Sequence, residues 1–162
     1  MKTTYQLSIP VGVSYLMCTA PDCANCKRDE CPLENGEILL DRPMDIVLPN
    51  RGILHIGKDF LWDGASIPRL CWTTCYHPYH HRIIAAALAH DAMYQIELFP
   101  REDCDWIFLE MLQTWGVSWY QRNKMYLAVR AAGGVVWDRH TPESIAEGKK
   151  FVRFTPYEEI AT

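Results

Sequence analysis

Apolar and polar positions follow two different periods in the two halves of this chain. Between residues 37 and 62 the apolar side chains come in short β-prone runs, at 38–40, 45–48 and 53–56. Pro43, Pro49-Asn50 and Gly57 punctuate them. Runs of that length bounded by turn formers predict strands of an antiparallel sheet. From residue 80 the apolar spacing widens to three and four. Ile83, Ala87, His90 and Tyr94 lie on one stripe, and Ile84, Leu88 and Asp91 on its neighbour, which predicts a helix over 80–97. A second helix is expected to start near Pro100, a residue tolerated in a first turn, with Glu102 and Asp103 at the positive end of its dipole. Its inward stripe reads Asp105, Phe108, Leu109 and Leu112. The third has a start signal in Ser118 with Gln121 three residues on, and a stop signal in Gly133-Gly134. Tyr120, Leu127, Ala128, Ala131 and Ala132 are expected to pack it against the other two.

The ends of the chain are less regular. Residues 1–17 carry short apolar runs broken at Pro10, read as strands or strand-like arms that pair with the strands at 37–61. Beyond Trp137 the sequence turns polar, and 138–162 is read as a tail on the surface or on a partner. The expectation is one α+β domain over 1–162. A small antiparallel sheet in the N-terminal half, 37–62, packs on a three-helix C-terminal half, 80–134, and 18–31 is an inserted cysteine loop. A chain of 162 residues with 49% hydrophobic side chains is long enough to bury such a core.

Charge narrows the function classes. Sixteen basic against twenty acidic residues give a net charge of −4, and the basic residues are scattered, so sequence-specific nucleic-acid binding is not expected. No apolar run approaches the length of a membrane span, and residues 1–17 lack the form of a secretory signal. The protein is therefore expected to be made in a cytoplasm, where its seven cysteines are better metal ligands or core thiols than a disulfide framework. Four of them, Cys18, Cys23, Cys26 and Cys31, stand as C-x4-C-x2-C-x4-C in a segment nearly devoid of large apolar side chains. Four thiolates can close around one structural zinc ion that substitutes for a local core. An iron–sulfur cluster, or disulfides and free thiols, are the alternatives. Four protein ligands leave no open position, so none of these readings makes the loop catalytic. Cys71, Cys75, His77 and His80 have an uncommon spacing for a second zinc site, and Cys104 is read as a packed thiol.

The chemistry concentrates elsewhere, in Asp63-Gly64, His90-Asp91, Tyr94 and Asp105. On one helix His90 and Tyr94 share a face, and Asp91 is turned about a hundred degrees away. A neutral imidazole can take a proton from water when a carboxylate holds its other nitrogen. Asp105, on the next helix, is placed to be that carboxylate. Asp91, with Asp63 and the Gly64 turn, can offer oxygens to a hard cation such as calcium. The same residues admit a purely architectural reading, in which buried polar groups satisfy one another and fix a loop on a helix.

Two resemblances bear on this. Residues 45–137 resemble a domain family of unknown function found in tailed bacteriophages and prophages. The motifs that carry the likeness are Asp-Gly-Ala-Ser-Ile-Pro-Arg at 63–69, Trp72, Ala-x-x-His-Asp-x-x-Tyr at 87–94, the helix around Asp105, and Met125-Tyr126 leading to Gly133. This likeness implies a phage protein, made in the host cytoplasm, and supplies no established activity. The expectation is a particle-associated protein with other phage structural proteins as partners, and a structural component of tail, baseplate or neck is the alternative to an enzyme. The His-Asp-x-x-Tyr helix with a later helical aspartate is also similar to the core of phospholipases A2, over about 25 residues. That similarity implies His90 as base, Asp91 as calcium ligand, Asp105 as the group that orients the histidine, and Tyr94 in support. It further implies an envelope lipid, or another ester or amide, as substrate. The glycine-rich calcium loop and flanking disulfides of that family have no counterpart here.

Overall fold

A computed structural model describes residues 13–15, 38–40, 42–62 and 83–160. The cysteine loop, the segment from Asp63 to Arg82 and the last two residues lie outside the described part. So do the expectations placed on Cys18, Cys23, Cys26, Cys31, Asp63, Gly64, Cys71 and Cys75.

Strands β1 (Val13–Tyr15), β2 (Ile38–Leu40) and β5 (Leu61–Trp62) form one antiparallel sheet in the order β1-β2-β5. A second antiparallel sheet has the order β3-β4-β6, with β3 at Met44–Leu48, β4 at Gly52–Ile56 and β6 at Val152–Pro156. Alternation sets which face of this sheet is covered. Met44, Ile46 and Leu48 from β3 and Leu54 and Ile56 from β4 point into the core. The turn between them uses Asn50 at φ 56°, a left-handed conformation that asparagine tolerates well.

Helices α1 (Ile84–Gln95), α2 (Arg101–Thr114) and α3 (Trp119–Trp137) follow. Strand and helix side chains share one buried cluster, in which Ile46, Leu54 and Ile56 join Leu88, Met93, Ile107, Phe108 and Leu112. α1 is buried at Ala85, Ala86, Ala87 and Ala89, small side chains that allow close approach all around it. An Arg51–Glu110 ion pair of 2.8 Å also joins the β3–β4 turn to α2. Both side chains are about a third exposed, so it contributes no more than about 1 kcal/mol.

Three expectations are corrected. The residues after 138 are not a tail. α4 (Pro142–Gly148) starts in a capping box between Thr141 and Ser144, and β6 pairs with β4 along its whole length, Gly52 opposite Pro156 and Ile56 opposite Val152. A hydrogen-bonded line crosses all three strands, His55 lying 2.7 Å from Asp45 and 3.0 Å from Thr155. The short helix α5 (Tyr157–Ile160) ends the described chain. The strand was hidden because five residues in a charged context carry little periodicity; their partner, 100 positions upstream, supplies the pairing.

Second, α3 does not stop at Gly133-Gly134 but runs to Trp137. Gly133 is there for a crossing, since a Cβ on it would lie 2.6 Å from the Tyr94 hydroxyl. Third, Tyr120, Leu127, Ala131 and Ala132 do not pack α3 on its neighbours. All four are exposed, Tyr120 and Leu127 at 65%, whereas Met125 and Gly133 are buried. α3 carries apolar residues on two sides, and among the described residues the side bearing Met125, Val129, Gly133 and Trp137 is the one that packs on the other helices.

The two adjacent glycines should respond oppositely to alanine. Gly133→Ala forces a clash with Tyr94 and should destabilise by about 1–3 kcal/mol. Gly134→Ala meets nothing within 4 Å and should stabilise by about 0.5–1 kcal/mol through helix propensity. Urea unfolding of both variants in dilute solution checks the pair, and equal effects would refute the crossing.

Candidate functional site

Of the four helical residues singled out by sequence, His90 and Tyr94 meet at the Asp105 carboxylate, and Asp91 stands on the other side of the imidazole. The Asp105 carboxylate sits on α2 with no exposed surface. His90 Nε2 lies 2.9 Å from Asp105 Oδ1, and the Tyr94 hydroxyl donates to the same oxygen at 2.6 Å. Position i and i+4 on α1 thus converge on one acceptor, because both side chains lean from the same helix face. The second oxygen, Oδ2, accepts from Arg130 Nη1 of α3 at 2.9 Å, and Arg101 Nη1 stands 3.8 Å away. Arg101 also donates to the Arg130 carbonyl at 3.3 Å. A buried carboxylate without such partners would be very costly, and here each oxygen has charged or hydroxyl donors.

Arg130 and Arg101 were not anticipated. The i, i+4 spacing of Arg101 and Asp105 is visible in the sequence, but nothing local brings Arg130 across from α3. The crossing at Gly133 does so, one helical turn along from Arg130.

Aromatic packing locks the imidazole. The rings of His90 and Tyr94 lie 4.2 Å apart, Phe108 is 5.2 Å from His90, and Trp137 meets the Tyr94 ring edge-on at 5.0 Å. His90 is 6% exposed. Its Nδ1 edge lies 3.5 Å from Asp91 Oδ1, and the Asp91 side chain, 22% exposed, is the less buried of the two acidic side chains at the ring.

Burial opposes a charge on His90, but hydrogen bonds and attraction from Asp105 and Asp91 outweigh it and hold its pKa above the ordinary 6.5. For Asp105, burial opposes the charge, while donors from His90, Tyr94 and Arg130 prevail and depress its pKa below 3.8. Burial, and then the hydrogen bond to Asp105, push the Tyr94 phenol far upward, so it remains a donor. Cys104, expected as a packed thiol, is buried and its pKa is pushed up to about 12 by that burial, which leaves it unreactive.

A carboxylate can only accept, so above the pKa of His90 its remaining proton sits on Nε2, toward the nearer carboxylate, Asp105 at 2.9 Å, and Nδ1 is left as an acceptor beside Asp91 Oδ1 at 3.5 Å. This is the arrangement of an oriented general base. A hard cation would need six or more oxygen ligands. Among the described residues no group of three or more His, Cys, Asp or Glu side chains could hold a metal ion, and Asp91 supplies one carboxylate. Those residues alone do not make a calcium site.

Fold and cluster together define an α+β domain built around a buried His–Asp–Tyr–Arg network. Residues 39–129, more than half of the chain, match the family described as Protein of unknown function (DUF1353), and the chain belongs to that family. Among curated proteins and among solved structures, none matches it. Among the described residues, no helix is long and apolar enough to cross a membrane.

Asp105→Asn should destabilise by about 1.5–3 kcal/mol, since it removes the charge that accepts from His90, Tyr94 and Arg130. The pH dependence has two signs. A raised His90 pKa gives stability that is complete below 6.5 and is lost as pH climbs through the folded value. A lowered Asp105 pKa gives stability that is present above 3.8 and is lost as pH falls through the folded value. Unfolding free energy should therefore peak between these limits. The His90 imidazole, followed by NMR, should titrate above 6.5 and fall in Asp105→Asn; an unmoved midpoint would count against the pairing.

Proposed function

We propose that this protein is a phage-encoded, particle-associated hydrolase of the cell envelope, acting on a lipid or another ester or amide. The observation that carries the reading is the shared Asp105 oxygen, which holds His90 Nε2 at 2.9 Å and the Tyr94 hydroxyl at 2.6 Å. With Nε2–H committed to Asp105, Nδ1 accepts a proton from water as the water oxygen bonds to the substrate carbonyl carbon. The carbonyl electrons move to oxygen. They return as the bond to the leaving group breaks, and His90 hands its proton to that group. Asp105 stabilises the transient imidazolium and does not itself take the proton. Asp91, with Asp63 and Gly64, is the proposed place for calcium. Cys18, Cys23, Cys26 and Cys31 are proposed to hold structural zinc, with an iron–sulfur cluster as the alternative.

A second reading is supported by the burial of His90 and by the Arg130–Asp105 pair. In it the network only braces the helices, and the protein is a structural component of tail, baseplate or neck.

The two separate on His90→Asn and Asp91→Asn, assayed on phospholipid vesicles and on peptidoglycan with and without calcium. The hydrolase reading expects turnover by the wild type, a loss of about 10²–10⁴-fold in His90→Asn with the circular dichroism retained, and calcium dependence that Asp91→Asn removes. Folded wild-type protein without turnover on either material would sink it. Stoichiometric copies in purified particles would then favour the structural role. Elemental analysis and the visible spectrum distinguish zinc from iron.

A further inference from the structure

The outer side of α3 is where sequence and packing disagree most. Tyr120, Lys124, Leu127, Ala131 and Gly134 recur at alternating steps of four and three, the 3.5-residue period of a helix-pairing seam. None of these five is buried in this chain. Tyr120 and Leu127 are each 65% exposed, and Val135 beside them is 59% exposed. Gly134 adds a separate observation. A glycine inside a helix costs about 1 kcal/mol relative to alanine. Gly133 has a reason in Tyr94, but a Cβ on Gly134 would meet nothing within 4 Å. Within the described chain that glycine has no packing purpose; a helix passing close outside would supply one.

We infer that this face is a two-fold interface with a second copy of the chain, the two α3 helices running antiparallel. The seam is bulky in its first half and small in its second, so it complements itself when reversed. Leu127 of each copy lies over the partner's Ala131, and Lys124 crosses the partner's Gly134. Tyr120 comes level with the partner's Asp138, the exposed residue at the C-terminal end of α3. That register brings Lys124 within reach of the partner's Asp138 carboxylate at the negative end of its helix dipole, a favourable pairing made twice by symmetry. A parallel arrangement would instead set Lys124 against Lys124.

The area suits a weak dimer. An aromatic side chain buries about 150–250 Å², so Tyr120, two-thirds of it exposed, offers roughly 100–150 Å². Adding Leu127, Val135 and Ala131 gives on the order of 350 Å², the size of the largest apolar patch on a typical monomer. With the Lys124 stem and the side chains flanking the seam the contact stays below the ~800 Å² per partner of a stable interface, as a dimer that dissociates on dilution requires.

Sedimentation equilibrium of the full chain across micromolar concentrations tests this. The wild type should be a dimer that dissociates on dilution. Leu127→Glu, at an exposed position, should keep the wild-type circular dichroism and weaken association by at least about 100-fold. Lys124→Glu and Asp138→Lys should each weaken it by roughly 3- to 10-fold, and the two combined should restore it. A wild type that is monomeric up to about 100 μM, a Leu127→Glu protein that stays dimeric, or a charge-reversed double variant that fails to recover would overturn the inference. So would a monomeric wild type that binds phosphatidylglycerol vesicles through Leu127, which would make the face a lipid surface. Activity plays no part in these readouts, so loss of the hydrolase reading leaves them intact.

Discussion

A charged carboxylate with no access to water is the constraint around which this molecule is arranged. Asp105 can stay ionised only if donors reach both of its oxygens, and α2 cannot provide enough of them. His90 and Tyr94 come from α1, Arg130 from α3, and Arg101 from one turn upstream on α2 itself. Satisfying this one group therefore fixes how three helices sit together. Apolar burial contributes more free energy, but it is non-directional and would tolerate sliding of one helix on another. The network would not. Donors at 2.6–2.9 Å leave little freedom in register, which is the specificity that buried polar groups can provide.

The same constraint accounts for features that look unrelated. Arg130 reaches Asp105 only if α3 crosses close to α1, and that approach is possible because Gly133 lies against the Tyr94 hydroxyl. Continuing α3 past Gly133-Gly134 places Trp137 edge-on to the Tyr94 ring, completing the wall around the phenol. Turning this side of α3 inward leaves its other apolar side, with Tyr120 and Leu127, facing out. The exposed seam is thus a consequence of how the buried network is satisfied.

Chemistry and architecture are entangled at this site. The geometry that orients a base is also the geometry that satisfies a buried ion, and His90 does both through one ring. What makes catalysis a reasonable use of the cluster is its asymmetry. Nε2 is committed to a fully buried carboxylate, while Nδ1 borders the partly exposed Asp91.

Much of the fold was legible from local pattern. Short β-prone runs between turn formers located β2, β3 and β4, three-four spacing located α1, and start signals at Pro100 and Ser118 located the beginnings of α2 and α3. The placement of His90, Tyr94 and Asp105 on facing helix sides was legible too, because i, i+4 geometry on a helix is a property of the chain alone. Tertiary structure alone decided the rest. β6 acquires its identity from a strand 100 residues away, Arg130 its role from a helix crossing, and α3 its buried side from the donors Asp105 requires. Sequence periodicity reports which faces are apolar. When a helix has two such faces, the choice between them belongs to whichever one can satisfy the buried charge.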